Sequence, residues 1–287
     1  LNPLDLLWLF FILSSLQPML QQRVLAYQRR VAMRTIEKRN RSRVITMIHR
    51  REGFALLGIP LGGFIDIEDS EDIIRAVEMT GNDVAIDLVL HTPGGLVLAA
   101  EQIAAALAAH PAPVTVYVPH YAMSGGTLIA LAADRIVMSP SAVLGPVDPQ
   151  IGDMPAASIL AAVREKSRDE VEDRTLVLAD VSRKAVGQVT TFVAGLLARH
   201  MEPVRAREVA GVMASGRWTH DFPIDVHLAT SFGLAVSSDL PDEVRVLMTL
   251  FPQARGRRPS VEYIPGPYGE RQQPQGRRRR SNPFFER

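Results

Sequence analysis

The 287-residue chain has no cysteine, which excludes disulfides, thiolate-ligated zinc, iron-sulfur clusters and a cysteine nucleophile. It has neither a P-loop nor a G-x-G-x-x-G turn, the common backbone cradles for ATP and dinucleotides. Its His, Asp and Glu residues do not recur at metal-ligand spacing, so neither metal nor cofactor is expected. Charge is nearly balanced, 32 Lys and Arg against 31 Asp and Glu, so the composition is not that of a globally basic nucleic-acid binder. Lysine is scarce: only Lys38, Lys166 and Lys184 occur. Chemistry that needs an amine able to lose its proton must draw on these, because arginine cannot serve as a base.

What is present is apolar. Hydrophobic residues make up 47% of the chain, enough for a large core. From Leu6 to Gln22 there is no charge, and the cations Arg23, Arg29, Arg30, Arg34, Lys38, Arg39, Arg41 and Arg43 follow against the single acid Glu37. A spanning helix needs roughly 17 to 25 apolar residues, and a cationic flank stays on the cytoplasmic side. Residues 1–22 are therefore expected as a single-pass membrane anchor with the bulk of the chain in the cytoplasm. Residues 23–42 are expected as a basic juxtamembrane helix, and 252–287, rich in Pro, Gly, Gln and Arg, as a disordered tail.

Between residues 43 and 251 short β-branched runs alternate with alanine-rich periodic ones, the pattern of an α/β layered domain with a buried, mostly parallel sheet. Strands are expected at 84–90, 114–119 and 135–139, with a further pair at 45–51 and 61–67. Helices are expected at 69–81, capped by Asp69 or Ser70, and at 96–110 and 125–134; the chain then turns helical from 155 to about 214.

Two glycine turns follow successive strands. His91-Thr92-Pro93-Gly94-Gly95 leaves backbone N–H groups without strand partners, and Met123-Ser124-Gly125-Gly126 puts a hydroxyl where a strand passes into a helix. Such groups can meet an oxyanion. Read alone, the first is a tight turn, with His91 able to brace it. Ser124 reads equally well as a helix cap or as a nucleophile; with Ala122 before it, this is not the G-x-S-x-G elbow. Parallel strands bring both turns to the same sheet edge, where ligands bind.

These two turns, together with residues 144–152 (LGPVDPQIG), 178–185 (LADVSRKA) and 215–224 (SGRWTHDFPI), resemble the ClpP/crotonase superfamily. The closest likeness is to the serine dehydrogenase proteinase family related to signal peptide peptidase A. It covers roughly residues 43–250. It implies a spiral of strand-strand-helix units with an α-rich C-terminal half, Ser124 as nucleophile, and an oxyanion hole made by Gly95 and Gly125 with Gly94 in support. ClpP itself uses a histidine about two dozen residues after the serine, and no histidine follows Ser124 before His200. Relatives of signal peptide peptidase A use a lysine from the helical half. Lys184 is the first choice and Lys166, among charged neighbours, the second; Asp180, one turn before Lys184, could orient it. His220, beside Asp221, is the competing base or a structural residue.

The expected function is thus a membrane-anchored serine endopeptidase with a Ser-Lys dyad, acting on an extended peptide and forming homo-oligomers, with no nucleic-acid partner. The alternative is a catalytically silent scaffold for membrane assemblies on the same fold.

Overall fold

The structure is a computed structural model that describes residues 3–50, 55–56, 59–60 and 63–251. The tail from 252 onward and residues 61–62 of one expected strand lie outside these. Helix α1 (Pro3–Asn40) leads into β1 (Ser42–Ile48), followed by the two-residue pair β2 (Ala55–Leu56) and β3 (Ile59–Pro60). Next come α2 (Ile67–Glu78), β4 (Ala85–His91), α3 (Val97–Ala109), β5 (Val114–Val118), β6 (Tyr121–Ala122), α4 (Gly125–Leu131) and β7 (Arg135–Met138). Short strands β8 (Val143–Leu144), β9 (Gln150–Ile151) and β10 (Met154–Pro155) precede α5 (Ala156–Glu165), α6 (Asp173–Leu197) and α7 (Pro203–Ala214). Helix α8 (Val226–Ser231), β11 (Val236–Ser237) and α9 (Asp242–Thr249) complete the described chain.

The main sheet has the order β1-β4-β5-β7-β11, and every neighbouring pair is parallel. Alternate residues of a strand point to opposite faces, so a sheet covered on both sides reads as an unbroken apolar run. Leu88 and Leu90 enter the larger core with α3, α4, α6 and α7, while Val89, Tyr117 and Val137 meet Ile36 of α1 and Val244, Leu247 and Met248 of α9. The expected α/β layering and the helical second half are present.

Four expectations need correction. The basic segment continues the helix of the apolar run, as expected, but its later turns pack on the sheet through Ala32, Met33 and Ile36. Among the described residues no helix is long and apolar enough to cross a membrane. The helix expected at 69–81 begins earlier, at Ile67, because Asp66 is its cap: the Asp66 carboxylate accepts from Asp69 N–H, and the Asp69 carboxylate accepts from Asp66 N–H. In the described part of the strand expected at 61–67, residues 63–67, pairing is a single bridge, Ile65 to Gly95. The edge strand β11 had no visible signal, being only two residues long.

Candidate active site

Strand β4 does not stop at His91. Its extension pairs with β6 through a bridge from Thr92 to Ala122, in which Thr92 N–H donates to Tyr121 O at 3.2 Å and Met123 N–H to Thr92 O at 3.0 Å. This laces the two glycine turns side by side. On the far side of the first turn, Ile65 N–H donates to Gly94 O and Leu96 N–H to Ile65 O, both at 2.8 Å. A parallel bridge that uses the groups flanking Gly95 turns Gly95 N–H the other way, and it has no hydrogen-bond partner among the described residues. The N–H of Gly125 likewise has none, as expected in the first turn of a helix.

The spacing requires glycine. A methyl group on Gly94, whose φ is +107°, would stand 2.8 Å from Ser124 Cβ and 3.3 Å from Gly125 N; one on Gly125 would stand 3.6 Å from Gly95 N. The two free N–H groups and Ser124 are therefore immediate neighbours.

Ser124 stands at the cap position of α4 but does not cap it: its hydroxyl makes no capping hydrogen bond, and its backbone has φ +51°, ψ −115°. Arg41 is the only other non-glycine residue with positive φ among the described residues. A partly exposed serine held in this sparsely populated region on a sharp strand-to-helix turn has the backbone arrangement of a nucleophile elbow. The elbow's first glycine is absent here, yet its geometry is present. Behind Ser124, the Thr127 hydroxyl lies 2.8 Å from Ala122 O and 2.9 Å from Gly145 O and accepts from Gly145 N–H at 3.0 Å, fixing the start of α4.

With this geometry in place, comparison with known proteins is decisive. A family model described as ClpP-like SDH-type serine proteinase matches residues 3–278. The chain belongs to this family. Two uncharacterized proteins of Methanocaldococcus jannaschii are 51% and 49% identical over 260 and 265 residues, about nine-tenths of each chain. The membrane protein NfeD1b of Bacillus subtilis is 37% identical over 112 residues, 36% of this chain and 26% of that one. Among solved structures, a variant of a membrane-bound stomatin-specific protease covers 72% of this chain and 82% of its own, at 20% identity and TM-score 0.45. ClpP1 of Listeria monocytogenes covers 73% and 99%, at 16% identity and TM-score 0.44.

A serine proteinase needs a base, and the residues named for that role lie in different settings. Lys184 sits on α6 with its side chain 70% exposed, 2.6 Å from Asp180, whose carboxyl that bond holds below the usual range. It lines a groove of about 1050 Å³ between α6, Pro149 with the adjoining β9, and the first turn of α3, where Val97 and Leu98 follow the first glycine turn. Lys166 closes α5 and is exposed. No hydrogen bond joins either lysine to Ser124. His220 does not pair with its sequence neighbour Asp221; its Nδ1 meets the Asp148 carboxylate at 2.8 Å. Asp148 is buried at 3% exposure and also accepts from Gln150 Nε2 at 2.8 Å. If Nδ1 donates to that carboxylate, Nε2 is left as the acceptor.

His91 is almost fully buried, packed against the rings of Tyr121 and His120, and neither ring nitrogen has a partner among the described residues. Burial, then the nearby Arg50, pushes its pKa down to about 4. It braces the turn by packing alone. The hydrogen-bonded brace is one that sequence reasoning missed: His49 Nδ1 lies 2.8 Å from Thr92 Oγ1 and its Nε2 3.1 Å from Asp69 Oδ2, while Thr92 Oγ1 accepts from Gly94 N–H at 3.2 Å. No motif announces His49. Its position at the end of the strand beside β4 was the only available signal.

Proposed function

We propose that the chain is a serine endopeptidase in which Ser124 attacks the scissile carbonyl and the N–H groups of Gly95 and Gly125 receive the oxyanion. The observation that carries this reading is the strained Ser124 beside two N–H groups without partners, an arrangement that a merely structural turn would not need. The groove between α3 and α6 begins at Val97, two residues after Gly95, and its lining is mostly apolar, with Val97, Leu98 and Phe192 beside Glu101, Arg183 and Lys184. That suits an extended peptide with apolar side chains, held in part by backbone hydrogen bonds.

The proton goes first to Lys184, the amine that lines the groove, provided it exchanges Asp180 for Ser124 when substrate excludes water. A second reading has its own observation: His220 held by the buried Asp148 is arranged as a histidine base is in serine hydrolases. A fluorophosphonate probe on the detergent-solubilised protein tests the nucleophile: labelling should vanish with Ser124→Ala, and persistent labelling sinks the proposal. Peptide cleavage by Lys184→Met, Lys166→Met and His220→Asn then identifies the base. Loss only in His220→Asn replaces the Ser-Lys dyad with Ser124 and His220; loss only in Lys166→Met keeps the dyad and moves its lysine.

Membrane attachment rests on the uncharged run from Leu6 to Gln22 and its cationic flank, with the partial likeness to a membrane protein in support. In this reading the peptidase acts from the cytoplasmic face as a homo-oligomer.

A further inference from the structure

On the sheet face covered by α1 and α9, opposite the face that carries α4, a pocket of about 380 Å³ opens where β1, β5 and β7 end. Arg50 follows β1, His120 follows β5, Ser139 and Ser141 follow β7, and Arg245 reaches in from α9. Among the described residues no carboxylate lines it. The one ion pair that either arginine makes among the described residues is Arg245 Nε to Asp242, at 3.5 Å on the open surface. Arg50 Nε is buried without a partner among those residues, and so are both ring nitrogens of His91, whose ring stands 5.5 Å from that of His120. Buried polar groups in folded proteins are normally paired. Two guanidinium groups, a histidine and the hydroxyls of Ser139 and Ser141, with Thr249 at the rim bonded to its own helix, converge with no acid between them among the described residues and form a site short of an anion.

We propose that this pocket binds a phosphate ester, its oxygens paired to Arg50 and Arg245 and bonded by Ser139 and Ser141. A carboxylate offers two coplanar oxygens and one charge, whereas a phosphate ester offers at least three acceptor oxygens spread tetrahedrally and up to two charges, the better match to donors arriving from three strand ends and α9. The pocket is larger than a bare phosphate and is walled on one side by Leu240 and Met248, which suits the organic part of an ester. The ester is either a lipid headgroup or a soluble metabolite. Helix α1 passes this edge: Arg29 donates to Leu250 O at 2.8 Å and lies 4.0 Å over the Phe251 ring, so the turns before it project beyond the same end of the sheet.

Calorimetric titration of the full chain with sn-glycerol 3-phosphate and with inorganic phosphate, at ionic strength held constant with chloride, tests the site. One ligand per chain is expected, with binding weakened about tenfold or more by Arg50→Gln and by Arg245→Gln, the scale of a lost charged hydrogen bond. Arg164→Gln on α5 should bind as wild type. Arg245 is half-exposed, so its variant carries the test if Arg50→Gln does not fold. Co-sedimentation with phosphatidylglycerol and with phosphatidylcholine vesicles separates the sources: vesicle binding lost in the arginine variants, with weak soluble binding, assigns a lipid headgroup. Saturable soluble binding with vesicle binding unchanged in the variants assigns a soluble ester. Absence of saturable binding to every probe, or equal weakening by Arg164→Gln, overturns the proposal.

Discussion

Strain at Ser124 can be measured separately from its chemistry. Its φ of +51° and ψ of −115° belong to a region that costs a side-chain-bearing residue about 1–3 kcal/mol. Glycine has no Cβ and escapes that cost, but it brings extra freedom to the unfolded chain, a loss of about 0.5–1 kcal/mol relative to alanine at an ordinary position. The hydroxyl makes no capping bond, so its removal should cost little. Ser124→Ala keeps the Cβ and the strain, and should unfold within about 1 kcal/mol of wild type. Ser124→Gly should be more stable than Ser124→Ala by up to about 2.5 kcal/mol, the difference between the two terms. For a domain of this size that is a rise in Tm of up to about 10 °C. Urea and thermal unfolding of the two variants measure it, and neither variant should cleave peptide. A glycine variant less stable than the alanine variant would show that the turn is relaxed in solution, and the argument from strain to nucleophile would fail.

Acid stability should report on His91. Its pKa of about 4 in the folded protein lies below the unfolded value near 6.5, so the unfolded chain binds the extra proton between those values. The contribution is complete above about pH 6.5 and falls away toward pH 4, by up to about 3 kcal/mol; His91→Met should show a smaller loss in urea titrations across that window, and an identical loss would remove His91 from the account. Gly95→Ala should abolish cleavage and cost about 1–3 kcal/mol, because its methyl would stand 2.2 Å from Ile65 O and 2.3 Å from Ile65 N. Gly211→Ala, inside α7 with nothing within 4 Å, should instead raise stability by up to about 1 kcal/mol, as denaturant midpoints will show. Deleting residues 1–22 should move the protein from the membrane to the soluble fraction; if high salt alone releases the intact chain, only the cationic flank binds.

The periodic parts of the fold were legible before any coordinates. Mostly apolar runs at 84–90 and 114–119 read as strands because a parallel sheet covered on both faces favours apolar side chains on both, interrupted here by Asp87 and Thr115, and the glycine turns stood out because local backbone geometry restricts residue type. The likeness to serine proteinases of the ClpP type rested on those turns together with the segments at 144–152, 178–185 and 215–224, and the family match over residues 3–278 upholds it. Capping followed a rule that was applied three residues too late: Asp66 precedes the apolar periodicity of α2, whereas Asp69 lies within it.

Long-range pairing was not legible, for a physical reason. Burial and hydrogen-bond partnership are properties of atoms that meet across dozens of residues, and nothing local to a residue records them. His220 stands next to Asp221 in the chain, yet it binds Asp148, 72 residues away, because the bridge between Leu144 and Ile224 draws the two segments together. His49 carries no motif, but lies beside Thr92 because β1 pairs with β4 in register, Ile48 against His91. Lys184 reads as part of an apolar helix, and the packing of α6 turns it to solvent. The residue types suited to the chemistry follow from composition and local backbone demands; their partners follow from how the chain closes on itself.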